Sequence, residues 1–226
     1  MLKSLPIVSV AGLGLVLPAL GSDRSDDRER IHHATQVLQE IMQTPDQGIP
    51  QELLEKAKCV AIVPGEEKLA FIFGEKYGTG VAACRTARGW SAPLFVAVGG
   101  GSVGFQIGGA STDVVMLVMN QRGMDRLLGD KFTLGADASV AAGPVGRTAN
   151  ADTDVRMTAE ILAWSRSKGL FAGISLSGAT LRPDEEVNAE LYGRKIGNRD
   201  VLNGGVEPPP AAHSLRAELD KYSMRR

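Results

Sequence analysis

The feature that most restricts the fold is the stretch GGGSVGFQIGG at residues 99–109, in which six of eleven residues are glycine. Two known motifs overlap there. Gly100-x-Ser102-x-Gly104 matches the nucleophile elbow of serine hydrolases, and Gly99-x-Gly101-x-x-Gly104 matches the phosphate-binding loop of dinucleotide-binding folds. Both motifs require a helix to begin directly after the glycine turn. The residues that follow therefore show whether either motif applies or whether the glycines have a structural role.

Those following residues favour a strand. Phe105 and Ile107 alternate with Gln106, and the glycine pair 108–109 would destabilise the first turns of a helix. The one histidine downstream of Ser102 is His213, which lies beyond three consecutive prolines. A serine hydrolase using Ser102 is therefore kept only as a remote alternative, and the dinucleotide motif is not supported.

We interpret the glycines of this stretch as structural. A residue without a side chain allows close approach of neighbouring backbones, sharp bends and positive φ. The chain has 27 glycines and only 5% aromatic residues, which favours closely packed strands over a large aromatic pocket. A tightly curved sheet or small barrel is predicted to need glycine at Gly99, Gly100, Gly101, Gly104, Gly108 and Gly109.

The hydrophobic pattern changes along the chain from helical to strand-like and back to helical. Helical spacing or start signals predict helices near residues 27–44, 50–58, 123–128, 183–191 and 211–222. Short apolar runs predict strands near residues 59–63, 69–73, 79–85, 94–98, 102–107, 114–119, 138–142, 159–165 and 170–176. The fold class expected is α+β, with a mostly antiparallel curved sheet or small barrel flanked by N- and C-terminal helices.

The first 21 residues have the composition of a secretory signal peptide. Lys3 precedes an apolar run that includes glycine and proline, and Ala19-Leu20-Gly21 fits a signal-peptidase site. An uncleaved N-terminal anchor is the alternative. We therefore expect an exported protein, periplasmic or secreted. A formal net charge of −1 gives no indication of nucleic-acid binding.

Cys59 and Cys84 are the two cysteines. In an exported chain they can form a disulfide between nearby strands, and two buried free thiols are the alternative. No metal site is predicted. The run Asn150-x-Asp152-x-Asp154 lacks the later glycine and glutamate of a calcium loop, and the neighbouring His32 and His33 would point about 100° apart on a helix.

Two features could contact a membrane. The first predicted helix has an apolar face, although packing of that face on the sheet is the favoured interpretation. A basic patch is the second feature, and ordinary solvated charges are its alternative. Its lipid-binding candidates are Lys56, Lys58, Lys68, Arg85 and Arg88.

Three long motifs give the chain a specific resemblance. GGGSVGFQIGGASTDVVMLVMN, KFTLGADASVAAGPVGR and ILAWSRSKGLFAGISLSGATLRPDEEVNAELYG occur in that order. The chain resembles the SYLF domain family, also called the Ysc84 actin-binding domain family. The resemblance places the SYLF domain at residues 35–195. Together with the composition of the ends, it predicts a signal peptide at 1–21, a charged segment at 22–34 and a C-terminal extension with a terminal helix at 196–226.

The resemblance implies a binding module without catalytic activity or cofactor. Relatives in the family bind phosphoinositide membranes or actin filaments. The expectation for this chain is a cell-envelope module that associates with anionic lipid through a basic surface and the first helix. The alternative expectation is a structural or protein-interaction module with an envelope protein as its partner.

Overall fold

The computed structural model describes residues 23–44, 48–65, 70–72, 75–99, 112–144, 158–167, 170–174 and 176–223. Helices in this part are α1 (Asp23–Gln43), α2 (Gln51–Lys56), α3 (Gln121–Leu127), α4 (Glu185–Tyr192), α5 (Asn198–Leu202) and α6 (His213–Ser223), with a 3₁₀ turn at Pro210–Ala212. Strands are β1 (Cys59–Val63), β2 (Ala70–Ile72), β3 (Glu75–Thr86), β4 (Gly89–Trp90), β5 (Leu94–Gly99), β6 (Thr112–Val118), β7 (Phe132–Thr133), β8 (Val140–Ala142), β9 (Ile161–Ser167), β10 (Leu170–Gly173) and β11 (Thr180–Pro183).

These strands form one strongly curled sheet. Its order is β10-β9-β6-β1-β3-β5-β11-β7, with β2 and β4 on β3 and β8 on β9. Every named pair is antiparallel except β8 with β9. The predicted α+β class, with a curved and mostly antiparallel sheet between terminal helices, is confirmed.

The central part of the sheet is buried on both faces, and alternate residues of β1, β3, β5, β6 and β9 belong to different cores. Along β1, Cys59, Ala61 and Val63 face a core that includes residues of α3 and α5. Val60 and Ile62 face the other core, which includes residues of α1, α2 and α6. Burial on both faces explains why β1 reads as a continuous apolar run instead of an alternating one.

Helix α1 covers the second of these faces. Ile31, Ala34, Leu38 and Ile41 recur at helical spacing, and each is fully buried. The apolar face of α1 is therefore packed inside the protein, which confirms the interpretation that this face packs on the sheet. The helix begins at Asp23, four residues earlier than predicted, so the described part of the charged segment 22–34 is helical.

Glycine permits close approach at two described positions. A side chain at Gly80 in β3 would overlap the carbonyl of Ile62 in β1. A side chain at Gly143 would overlap the indole of Trp164 in β9. Of the glycines predicted to curve the sheet, Gly99 ends β5 and pairs with Thr180 of β11. Gly100, Gly101, Gly104, Gly108 and Gly109 lie outside the described residues, as does Ser102.

Cys59 and Cys84 occupy paired positions on β1 and β3. Both are fully buried, and their sulfur atoms are bonded at 2.04 Å. Of the two alternatives that the sequence left open, the structure contains the disulfide. The bond joins two central strands of the sheet.

The segment after residue 195 is packed into both cores. Val201 and Leu202 of α5 are fully buried in one core, and Leu215 and Leu219 of α6 are buried in the other. The described part of the predicted extension 196–226 therefore contributes to the same body as the residues before it. The boundaries at residues 35 and 195 stay predictions.

No helix in the described ranges is long and apolar enough to cross a membrane. Residues 1–21, with the predicted signal peptide, lie outside those ranges.

On α1, His32 lies 3.1 Å from the amide nitrogen of Gln36, and His33 lies 3.9 Å from Glu29. The described residues contain no cluster of three side chains that could hold a metal ion, and Asn150, Asp152 and Asp154 are not among them.

Candidate functional site

The structure describes four of the five predicted lipid-binding residues, and the amide of Arg85 donates to the carbonyl of Lys58 at 2.8 Å. Lys56 ends α2 and Lys58 directly precedes β1, and both side chains are exposed. Arg85 is half-buried near the end of β3, and Arg88 is exposed in the turn between β3 and β4. Lys68 lies outside the described residues. Whether the five form one lipid-binding patch stays a prediction, and we consider the described ones by their own contacts.

Arg85 holds the protein's own backbone. Its guanidinium donates to the carbonyl oxygens of Leu54 and Ala57 at 3.0 Å and of Ser223 at 3.2 Å. These carbonyls belong to the ends of α2 and α6, where the last turn of a helix leaves acceptors without a partner. The guanidinium also lies 4.6 Å from the centre of the Trp90 ring. Arg85 thus joins two helix ends, and we leave it out of the proposed lipid surface.

The motif PDEEVNAELYG forms α4 and attaches it to β5. Asp184 caps the helix by accepting from the amide of Val187. Asn188 is buried, accepts from the amide of Phe95 at 2.8 Å and donates to its carbonyl at 2.9 Å, as a paired strand residue would. The hydroxyl of Tyr192 donates to the carbonyl of Pro93, and burial raises the pKa of this phenol above its ordinary value.

A partly buried ionic cluster joins α1 to the sheet. Arg166 on β9 donates to Asp113 on β6 at 2.6 and 2.7 Å and also contacts Glu40 on α1. The amide of Gly65 donates to the other oxygen of Asp113 at 2.9 Å. Burial raises the pKa of the Asp113 carboxyl, while the hydrogen bond from the Gly65 amide and the nearby charge of His33 oppose that rise. The cluster has mutually satisfied partners, and we assign it a structural role.

Exposed cations lie on α3 and on two segments that contact the residues next to its ends. The amide of Lys58 donates to the carbonyl of Val118, which brings the α2–β1 junction beside the start of α3. The side chain of Asn198 donates to the carbonyl of Gly129 at 3.1 Å, which brings the start of α5 beside the end of α3. We call the exposed cations of these three segments the α3 basic surface: Lys56, Lys58, Arg122, Arg126, Lys131, Arg194, Lys195 and Arg199.

The charge of this surface differs from that of the whole chain. Residues 56–58, 121–131 and 194–200 contain eight cations and three carboxylates, a net charge of +5, whereas the chain has a net charge of −1. Within the described ranges, none of the eight cations makes an ion pair. Lys56 and Lys58 were predicted. The other members were missed because contacts between distant segments bring them together.

A curled sheet with helices on both faces and an exposed basic surface defines the class of protein: a packed α+β module with a positively charged surface. A family model described as "Las17-binding protein actin regulator" matches residues 99–222. This chain belongs to that family, the Ysc84 family, as its motifs predicted.

Curated relatives show the same relationship. The chain is 37% identical over 183 residues to LAS seventeen-binding protein 3 of Saccharomyces cerevisiae, covering 79% of this chain and 40% of the relative. It is 33% identical over 183 residues to SH3 domain-containing YSC84-like protein 1 of Homo sapiens, covering 80% of this chain and 53% of the relative. The chain thus spans about half or less of the length of these relatives.

Proposed function

We propose that this protein is a non-catalytic binding module that associates with anionic membrane lipid through the α3 basic surface. The observation that carries the proposal is the net charge of +5 on that surface, with cations that make no ion pair within the described residues. Each Lys or Arg near an anionic bilayer contributes about 1 kcal/mol to binding. Such a surface can hold the protein at a membrane without an inserted helix.

The structure changes the role expected for the first helix. Insertion of α1 into a bilayer would require its four fully buried apolar residues to leave the core. Electrostatic contact through α3 requires no such rearrangement. Glu52, Glu55 and Glu160 flank the basic surface and weaken its field. Because salt screens the attraction between exposed charges, binding should depend strongly on the salt concentration.

The test is co-sedimentation of the full chain with phosphatidylcholine vesicles, with and without phosphatidylglycerol, at low and high salt. We expect binding only to the anionic vesicles and mainly at low salt. The double variant Lys58→Gln with Arg126→Gln removes two charges and should weaken binding by roughly tenfold or more. The matched control, Arg28→Gln with Lys221→Gln, removes two charges from α1 and α6 and should bind like the unmodified protein. Absence of binding at low salt, or equal losses in both variants, would refute the proposal.

Protein recognition is the second candidate function. The matching family model and the yeast relative carry names that describe binding to Las17, and this observation favours a protein partner. For this chain we propose an envelope protein as that partner. Cross-linking that captures one such protein, in the absence of lipid binding, would favour this function over the first.

Export is part of the proposal. Residues 1–21 are proposed to direct the chain out of the cytoplasm and to be removed after Gly21. The N-terminal sequence of the protein isolated from its natural host tests this directly: a start at Ser22 is expected, and retention of residues 1–21 would support the alternative of an anchor.

The remote hydrolase alternative has its own test. A fluorophosphonate probe reacts with activated serines, so labelling that disappears in Ser102→Ala would revive the hydrolase function. We expect no labelling, because the relatives are named as binding or regulatory proteins.

A further inference from the structure

A cavity of about 170 Å³ lies between the β3–β4 turn, the loop after α5 and the first half of α6. Its volume is roughly ten times the ~10–15 Å³ that a single water needs, so it can hold several waters or one small polyatomic ion. The lining residues that bear on its chemistry are Arg88, Trp90, Gly204, Glu207, Pro208 and Arg216.

Two guanidinium groups are held at this cavity by backbone carbonyls. Arg88 donates one N–H to the carbonyl of Gly204 at 2.6 Å, and Arg216 donates its Nε–H to the carbonyl of Trp90 at 2.7 Å. A guanidinium has five N–H donors, so each arginine is oriented by one bond and retains others for a ligand. In the described part of the chain, no carboxylate lies within ion-pairing distance of either group.

The position of Gly204 keeps the two sides of the cavity close together. Its φ of +80° lies in the left-handed region, which favours glycine. A side chain there would come within 3.0 Å of Thr86 on the opposite wall. The carbonyl that orients Arg88 is therefore supplied by a backbone position that suits glycine, and the arrangement of the two arginines is built into the fold.

The chemistry of the lining favours an anion with several oxygens. Guanidinium groups bind carboxylate and phosphate oxygens by paired N–H bonds, and two of them can share one such ion. Trp90 and Pro208 contribute apolar atoms to the lining, and an ion pair is stronger beside apolar groups than in bulk water. Glu207 is the one carboxylate in the lining and opposes anion binding, and Asp220 lies nearby, beside Gly89.

We propose that this cavity is a binding site for a small oxyanion, held between the guanidinium groups of Arg88 and Arg216 and tuned by Glu207. The site is separate from the α3 basic surface. The ligand proposed is a soluble phosphate-type anion, and the test distinguishes it from the phosphate group of a lipid headgroup.

The test is a titration of the full chain with inorganic phosphate at constant ionic strength, followed by backbone amide NMR. We expect saturable shifts confined to residues 88–92 and 204–208 and to the helical turn around Arg216. The variant Arg88→Gln with Arg216→Gln should weaken binding at least tenfold, whereas the charge-matched control Arg194→Gln with Arg199→Gln should bind phosphate normally. Absence of saturable shifts, or equal binding by all three proteins, would overturn the proposal.

A third variant keeps the proposal testable if the double variant fails to fold. Glu207→Gln removes the opposing charge from a side chain with no hydrogen bond among the described residues, so it should tighten phosphate binding several-fold. Unchanged or weaker binding by Glu207→Gln would contradict the site. Shifts at these residues with phosphatidic acid vesicles but not with phosphate would assign the region to a membrane surface and overturn the small-anion site. Failure of phosphate binding leaves the vesicle test of Lys58 and Arg126 unaffected.

Discussion

At the residue scale, Arg85 is a charged residue that the sequence predicts on the surface, but its guanidinium binds backbone carbonyls of the protein itself. Its sequence context, between Cys84 and Thr86 in a strand, indicates a strand end with a free cation. The acceptors that hold it are carbonyls of Leu54, Ala57 and Ser223, which come from segments up to 138 residues away. Backbone carbonyls carry no signature in the sequence, so this role could not be predicted.

Replacement of Arg85 tests that role. Arg85→Gln removes the charged donor from three carbonyls, and we expect the free energy of unfolding to fall by about 2–4 kcal/mol, since a hydrogen bond to a charged group contributes about 1.5–3 kcal/mol. Urea unfolding measures the change. Arg194→Gln is the control, because this exposed arginine makes no described contact and should alter stability by less than about 0.5 kcal/mol. Equal effects of the two substitutions would contradict a structural role for Arg85.

Tyr192 gives a pH dependence at the same scale. Burial raises the pKa of its hydroxyl in the folded state, whereas the unfolded chain ionises near pH 10. Its contribution to stability is complete below pH 10 and is lost as pH rises towards the folded pKa, with a slope of up to about 1.4 kcal/mol per pH unit.

Comparing the pH dependence of stability in two tyrosine variants tests whether Tyr192 causes this slope. Tyr192→Phe should flatten the fall of stability between pH 9 and pH 11, measured by urea unfolding, and should cost about 1 kcal/mol at neutral pH. Tyr222→Phe, at a half-buried tyrosine on α6, should leave the fall unchanged. A fall of equal steepness in both variants would show that Tyr192 does not cause it.

At the scale of elements, the sequence locates β1, β5 and β6 best, and most residues of these strands are buried. β1 begins and ends at the predicted residues, because an apolar run of five bounded by a lysine and a proline has one sensible interpretation. The strands β4, β7 and β11 and the helix α5 were missed. They have two to five residues. The partners of β11 lie far away in sequence, because Thr180 pairs with Gly99 on one side and Thr133 on the other.

The attachment of α4 to β5 can be tested at this scale. Asn188→Ala leaves the amide of Phe95 buried without its side-chain acceptor, and one unsatisfied buried group costs about 1–3 kcal/mol. We expect a loss of 2–3 kcal/mol in urea unfolding. Asn188→Asp retains an acceptor for the amide but brings a carboxylate to the Phe95 carbonyl, so it should also destabilise. Full stability of Asn188→Ala would rule out the strand-like pairing of this side chain.

At the scale of the whole molecule, the sequence predicted the layers but not the basic surface. Terminal helices around a curved sheet follow from the order of patterns along the chain. The α3 basic surface depends on two contacts, Lys58 with Val118 and Asn198 with Gly129, that join segments 60 and 69 residues apart. Each member is an ordinary exposed lysine or arginine in the sequence, so only the fold reveals their common location.

The disulfide should stabilise the whole sheet. Cys59 and Cys84 are 25 residues apart, and closing a loop of that length in the unfolded chain is expected to contribute about 3–4 kcal/mol. We expect the double variant Cys59→Ala with Cys84→Ala to lose about that much in urea unfolding. Reduction of the unmodified protein under denaturing conditions, followed by refolding in reductant, should give a similar loss. A double variant as stable as the oxidised protein would show that the bond does not stabilise the fold.

The contact between Trp90 and the last turn of α6 has a practical consequence for anyone who shortens this chain. The indole nitrogen of Trp90 donates to the Ser223 hydroxyl at 3.0 Å, and the ring is almost completely buried. A recombinant fragment that stops at residue 195, where the domain was predicted to end, would uncover this ring and one face of the central strands. Such a fragment should aggregate and be degraded quickly by proteases. Failure of the fragment in a binding assay would then say nothing about what the intact protein recognises.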